Sequence, residues 1–235
     1  MTSCFASVML AQDTGDEFFV ERLLQRYTER YGGLREANRL AAVSIEGVQN
    51  QAGLNYDFHL RKKRPGMLHY QLKRGAAVLT TVYDGQQAWL QIRQGDETSV
   101  EELAGEPLKV VQDEARFESP LYRHMDKPAN RITLVGREQL GGLQAVVLRV
   151  EEPGQTSLYY LHPGEALVLR VDRLNEAGEV ALQTLYRDYQ EVAGYPFAHH
   201  IEVRIKGETV SVTRVNSIVV NPGLLSFYFQ KPSEE

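Results

Sequence analysis

The sequence predicts a mainly β fold: a curled antiparallel sheet of about eleven strands, with one leading helix and one central helical insert. Three observations predict it. From about residue 40 to residue 220 apolar residues recur with period 2, the spacing that places them on one face of a strand. Glycine-containing turn signals separate these runs at short intervals, which makes neighbouring strands antiparallel. Two stretches alone, one before residue 32 and one at 98–126, carry helical spacing.

Met1–Gln12 holds no charge and is mostly apolar or small, and Asp13, Asp16 and Glu17 follow at once. The segment reads as the back half of a signal peptide, cut near Ala11. Two other readings stand beside it. Thr2-Ser3-Cys4 ends a lipoprotein-type processing site with Cys4 taking the lipid, or the segment is a frayed cytoplasmic N-terminus. Residues 13–235 are then one domain, because no low-complexity linker divides them. A helix is expected over Asp16–Tyr31. Thr14 and Glu17 have capping-box spacing, Phe19, Leu23 and Tyr27 recur every fourth residue, and Gly32-Gly33 ends the run.

Residues 40–93 read as a meander of five strands. Tyr56, Phe58 and Leu60 alternate with polar residues, as do Leu68, Tyr70 and Leu72. Val78–Tyr83 and Ala88–Arg93 are joined by Asp84-Gly85, a hairpin signal. Residues 98–126 then break the pattern. Thr98 and Glu101 have capping-box spacing and predict a helical turn stopped by Gly105. Pro107 opens a second helix with Leu108, Val111 and Ala115 on one side, and Ser119-Pro120 opens a third through Met125. Strands resume at Arg131–Arg137, Leu143–Val150, Thr156–Leu161, Leu167–Arg173, Val180–Tyr189, Ala198–Lys206 and Thr209–Val219.

Several strands are apolar on both faces: Val78/Leu79 with Val82/Tyr83, Val146/Val147/Leu148, and Leu158 through Leu161. A one-sided sheet does not need that. A curled sheet roofed by helices, with part of its hollow unfilled, accounts for it. A filled core under two helices does so equally.

Composition narrows the function. The chain has 235 residues, 43% hydrophobic and 24% charged, with net charge −5. Those proportions are ordinary for a globular domain, and the negative charge speaks against nucleic acid as a partner. A single cysteine rules out an intrachain disulfide and a cysteine-cluster metal site. Neighbours on a strand point to opposite faces, so His199 and His200 do not chelate one metal together. His59 and His69 fall on adjacent strands, but zinc needs further ligands that the sequence does not offer. No nucleophile elbow, phosphate-binding loop, dinucleotide fingerprint or zincin motif is present. The expectation is a protein without catalytic residues, metal or cofactor. The dense basic run Arg61-Lys62-Lys63-Arg64 falls at a hairpin tip, where it either blunts a sheet edge or touches anionic headgroups.

From Phe117 onward the sequence resembles the LolA/LolB-type lipoprotein-sorting superfamily of bacterial envelopes. The resemblance rests on Ile132–Glu138 before Gly141-Gly142, on Ser157–Pro163, and on Tyr186-Arg187-Asp188-Tyr189 leading through Val192, Gly194 and Pro196 to Phe197. Asn221, Leu225, Phe227 and Phe229-Gln230-Lys231-Pro232 fit its usual ending, and Asp84-Gly85 before Trp89 also fits. Ser44–Gln49 departs from the carrier's aromatic-and-Gln pattern with its functional Arg, so no cargo-contacting residue is transferred. The resemblance implies a half-barrel of eleven strands with a helical lid. It implies a non-catalytic, monomeric, periplasmic carrier or receptor that binds acyl chains of lipoproteins or lipids and meets membrane-associated transport proteins. The competing reading is an envelope scaffold or stress-sensor domain that binds a protein partner and has a vestigial cavity. The expected apolar lining is Phe58, Tyr70, Val82, Trp89, Leu121, Leu148, Leu158, Tyr160 and Leu169. Trp89, the sole tryptophan, suits either a cavity rim or a filled core.

Overall fold

The computed structural model describes residues 4–35, 40–126 and 130–233. Among them thirteen strands form one sheet. Six come first: β1 (Ala42–Gln51), β2 (Leu54–Lys63), β3 (Met67–Arg74), β4 (Ala77–Tyr83), β5 (Ala88–Gln94) and β6 (Glu97–Leu103). After the helical insert come β7 (Arg131–Leu140), β8 (Leu143–Glu152), β9 (Gln155–Leu161), β10 (Val168–Leu174), β11 (Val180–Val192), β12 (Tyr195–Ile205) and β13 (Glu208–Val220). Each strand pairs with its sequence neighbour, except that β1 pairs with β13. Two meanders are thereby joined back to back, and β6 and β7, consecutive in the chain, become the two free edges. The sheet is not closed.

β6 is the strand that the sequence reading lacks. Thr98 and Glu101 do not cap a helix; they lie in a ladder with β5, from Ala88↔Leu103 to Gln94↔Glu97. Gly95, with φ +63°, makes the tight turn into it. An adjacent edge with free N–H and C=O groups overrides a weak capping signal.

Three helices pack on one face of the sheet, the inner face: α1 (Cys4–Arg30), α2 (Gly105–Ala115) and α3 (Pro120–Asp126). α1 begins at Cys4 rather than Asp16. Ala6, Met9, Leu10, Ala11 and Gln12 are strong helix formers, so the Thr14/Glu17 pair falls inside the helix instead of starting it. Thr2 and Ser3 lie outside the described residues. α1 ends as expected, with Gly32 and Gly33 at φ +91° and +70° and the Gly33 N–H donating to Thr28 O at 2.9 Å. Ser119 caps α3, its Oγ accepting from the Tyr122 N–H at 3.3 Å.

The main core lies between α1, α3 and strands β7–β10. Leu23, Leu24 and Tyr27 of α1 meet Leu121 of α3 and Val146, Leu148 and Leu161 of the sheet. A second core puts Val111 and Ala115 of α2 on Leu68, Tyr83 and Ala88. The doubly apolar strands bury residues on both faces. On the outer face Ala145, Val147 and Tyr160 form a small cluster of their own, with Leu158 and Leu169 against it. The C-terminal segment, with a 3-10 turn at Ser226–Phe229, lies across the outer face of β3 and β4.

That segment explains the basic run. β2 is an internal strand, so Arg61–Arg64 protects no edge, and each cation has an internal partner. The Arg61 guanidinium lies 4.5 Å from the Tyr228 ring centre. Lys62 Nζ donates to Arg116 O at 2.6 Å, and Lys63 Nζ to Leu224 O at 2.8 Å. Arg64 Nε donates to Leu40 O at 2.6 Å. The run fastens the helical insert and the C-terminal segment to the same end of β2.

Candidate ligand cavity

A cavity of about 920 Å³ lies between the helical insert and the inner face of β9–β11. β2 and β9 are six strand positions apart, about 29 Å in a flat sheet. Lys62 on β2 and Tyr159 on β9 nevertheless line this one cavity, so the sheet curls strongly around it.

The floor comes from alternate residues of three strands: Ser157 and Tyr159, Val171 and Arg173, Thr184 and Tyr186. Tyr159 stands opposite Val171, and Val171 opposite Thr184, so these side chains form one lateral row. The end of α1 adds Tyr27 and Tyr31, and Tyr189 joins them. The wall is therefore rich in phenol rings, which offer apolar faces and a polar tip. Tyr27 donates to Ser119 Oγ at 2.9 Å, and Tyr189 to Val168 O at 2.6 Å. Burial pushes the Tyr27 and Tyr186 hydroxyls up to about 12, and those of Tyr31, Tyr159 and Tyr189 well above their ordinary value. All five stay neutral hydrogen-bonding groups at any physiological pH.

The roof is held at both ends by ion pairs. Arg64 of the β2 end pairs with Glu118, just before α3. Arg123 of α3 pairs with Glu152 at the end of β8. Lys62 lies 4.0 Å from Glu114 of α2 and 5.5 Å from the Phe117 ring centre, and its burial pulls the ammonium pKa down. The insert is thus clasped across the hollow by charge at its edges, beside the buried contacts of Leu121, Val111 and Ala115.

Beyond the cavity the inner face continues toward the turns at one end of the sheet. Thr184 lines the cavity, and Leu182 lies two residues away on the same face of β11, opposite Arg173. Leu54 of β2, Ile92 of β5 and Ile205 of β12 share that inner face by strand alternation. They are 41%, 41% and 43% exposed, an apolar rim left open by the helices.

The nine residues expected from sequence divide between the faces. Phe58 and Tyr70 stand on the inner face with ring centres 6.1 Å apart, and Tyr70 donates to Gln49 Oε1 at 2.6 Å. Leu121 and Leu148 are sealed in the core under α1. Val82 and Trp89 are cross-strand partners on the outer face, which the C-terminal segment covers. Leu158, Tyr160 and Leu169 belong to the outer cluster. None of the nine lines the cavity. The lining tyrosines were adjacent in sequence to expected positions, Tyr159 beside Leu158 and Tyr160, and Tyr186 and Tyr189 inside the quoted Tyr-Arg-Asp-Tyr stretch. What the alternation lacked was its phase.

The histidines do not converge. His59 stands opposite Gln71, and His69 opposite Arg61. His59 contacts Ser44 Oγ at 2.7 Å and Glu46 at 3.2 Å. Among the described residues no three His, Cys, Asp or Glu side chains gather at one point.

No family model matches the chain, and no curated protein matches it in sequence. Solved structures do match. A DUF1329 family protein from Desulfovibrio piger superposes with a TM-score of 0.61 at 14% identity, over 90% of this chain and 97% of that one. A domain described as an outer membrane lipoprotein-sorting protein, from Vibrio parahaemolyticus, gives 0.59 at 12% identity, over 89% and 95%. A LolA superfamily protein from Nitrosomonas europaea gives 0.54 at 13% identity, over 88% and 97%. At these identities the likeness is one of fold: the chain has the curled-sheet architecture of the LolA superfamily protein and of the lipoprotein-sorting domain.

Proposed function

We propose that the chain is a non-catalytic carrier or receptor for a lipoprotein or lipid in the periplasm of a bacterial envelope. The observation that carries this is the cavity: about 920 Å³ under a clasped helical roof, in a fold shared with a lipoprotein-sorting domain. That volume lies within the roughly 300–1,000 Å³ typical of small-molecule sites. The phenol rings and their hydroxyls suit an amphipathic ligand. Its polar end meets Tyr27, Tyr186 and Arg173, while acyl chains follow the inner face toward Leu54, Ile92 and Ile205. Each buried methylene contributes about 0.8 kcal/mol. Parting of the Arg64–Glu118 and Arg123–Glu152 clasps admits the ligand. No described helix is long and apolar enough to cross a membrane. In this reading membrane-associated transport proteins hand over the cargo.

One observation favours the second reading, a scaffold or stress-sensor domain for a protein partner. The cavity wall carries more charge, from Lys62, Arg64, Asp113, Glu114, Glu118 and Arg123 among others, than an acyl tunnel requires. Mass spectrometry of an organic extract of the purified protein separates the two. Co-purified acyl lipid, together with saturable displacement of a fluorescent fatty acid, is expected. A clean extract and no fatty-acid binding would leave the partner-binding reading in its place.

A further inference from the structure

Arg187, His200 and Arg214 stand in one row across β11, β12 and β13. Arg187 is the direct cross-strand partner of His200, and His200 of Arg214. Tyr186, which precedes Arg187, lines the cavity, so the row lies on the outer face. At about 4.8 Å per strand, the two arginine backbones are about 10 Å apart. That is close enough for both guanidinium groups to reach a common point above His200.

Little in the fold accounts for this row. Like charges brought together across a sheet destabilise it, and a chain of net charge −5 has carboxylates to spare. One carboxylate lies close. Glu202 Oε1 accepts from Arg204 Nε at 2.7 Å and from Thr209 Oγ1 at 2.6 Å, while its Oε2 stands 3.5 Å from Arg187. Arg187 is therefore held loosely at its side, with its side chain 52% exposed. Arg214 is exposed and pairs with no carboxylate among the described residues. Its next neighbour in the row is Val48, and only beyond that comes Asp57. The helices all lie on the other face.

We infer that Arg187, His200 and Arg214 form a binding site for a phosphate-class anion, taken up either as free phosphate or as the headgroup of an anionic lipid. Guanidinium groups present paired N–H donors that match two phosphate oxygens at once, and imidazole adds a ring N–H donor whether neutral or charged. The row faces away from the cavity, so the site stands apart from the carrier reading and its failure would leave that reading untouched.

The test uses the full chain. Melting temperature is followed against inorganic phosphate, and co-sedimentation against phosphatidylcholine vesicles with and without phosphatidylglycerol. Arg187→Gln, Arg214→Gln and their double variant are compared with Arg93→Gln/Lys206→Gln, which removes the same charge elsewhere. Each substitution in the row is expected to weaken anion binding about fivefold, and the double variant about 25-fold. The control pair stays within about twofold, and His200→Gln, which keeps an N–H donor, falls between. A phosphate-dependent rise in melting temperature that the double variant loses identifies free phosphate as sufficient. Sedimentation with phosphatidylglycerol that phosphate does not compete away, and that the double variant loses, identifies the headgroup. Neither response in the wild-type chain, or an equal loss in the control pair, overturns the site. Arg214→Gln alone, at an exposed position without an ion pair among the described residues, serves if the double variant melts early.

Discussion

Gly47 sits where the two meanders meet, and replacing it with alanine should damage that seam. It lies in β1 at a register shift, with Glu46 opposite Ser217 but Gly47 opposite Val215, and with Phe58 on its other side. A methyl group built there falls 2.1 Å from Arg214 O and 2.7 Å from Phe58 Cε1. Ordinary contact begins at 3.4 Å, so the carbonyl would have to retreat by 3.4 − 2.1 = 1.3 Å. The Phe58 ring can rotate away, but a backbone carbonyl in a ladder cannot move that far without losing hydrogen bonds to β1. Overpacking costs about 1–3 kcal/mol, and one or two ladder bonds add about 1 kcal/mol each. The expected loss is about 2–5 kcal/mol, a large share of the roughly 5–15 kcal/mol that holds a domain folded. Urea unfolding monitored by far-UV circular dichroism measures it, with a fall in melting temperature of roughly 4–20 °C. Gly142→Ala, with open space around it, should change stability by less than about 0.5 kcal/mol. Because the backbone clash dominates, Phe58→Leu should not rescue Gly47→Ala. A Gly47→Ala protein within about 0.5 kcal/mol of wild type, or full rescue by Phe58→Leu, would refute the reasoning.

Other outcomes follow from the same geometry. Arg64→Gln with Arg123→Gln opens both clasps; the four side chains are only 20–33% exposed, so each lost pair should cost about 1–3 kcal/mol, within the roughly 5–15 kcal/mol that holds a domain folded. Release of a bound fluorescent fatty acid should nevertheless quicken, and 0.5–1 M salt, roughly the range where screening reaches contact distance, should mimic it in the wild type. Trp89 lies on the outer face, so its emission should stay constant through a lipid titration that saturates by displacement; a saturable spectral shift would place it at the ligand instead. Burial and the nearby Arg61 guanidinium hold His69 down at about 4. Its neutral form is therefore favoured by folding, and stability is full above about pH 6.5 and lost as pH falls toward 4. The half-buried position limits the loss to about 1–3 kcal/mol, and His69→Gln should flatten that part of the pH–stability curve.

Apart from β6, the strands, their turns and the three helices were legible in the sequence because each depends on local chemistry. Asp84-Gly85 closes its hairpin, with the Asp84 carboxylate accepting from the Gln86 and Gln87 N–H groups at 2.7 and 2.8 Å. Ser119-Pro120 opens α3, and Gly32-Gly33 stops α1. Local signals also misled where a longer-range partner competed. The Thr98/Glu101 spacing lost to the free edge of β5, and the Thr14/Glu17 spacing lost to a run of helix formers that simply continues the helix.

By itself, then, the sequence determined an antiparallel, mainly β chain with a helical insert, because period-2 alternation and turn chemistry are properties of neighbours. Tertiary structure alone decided three things. It paired β1 with β13, a contact between residues some 170 positions apart that no local pattern encodes. It set the phase of the doubly apolar strands, turning Tyr159 and Tyr186 to the cavity and Tyr160 to the outer face; where both faces are apolar, a one-residue change of phase leaves the pattern unaltered. And it assigned the cations of Arg61–Arg64 to the helical insert and the C-terminal segment, because a charged side chain advertises that it needs a partner but not which distant segment will supply it.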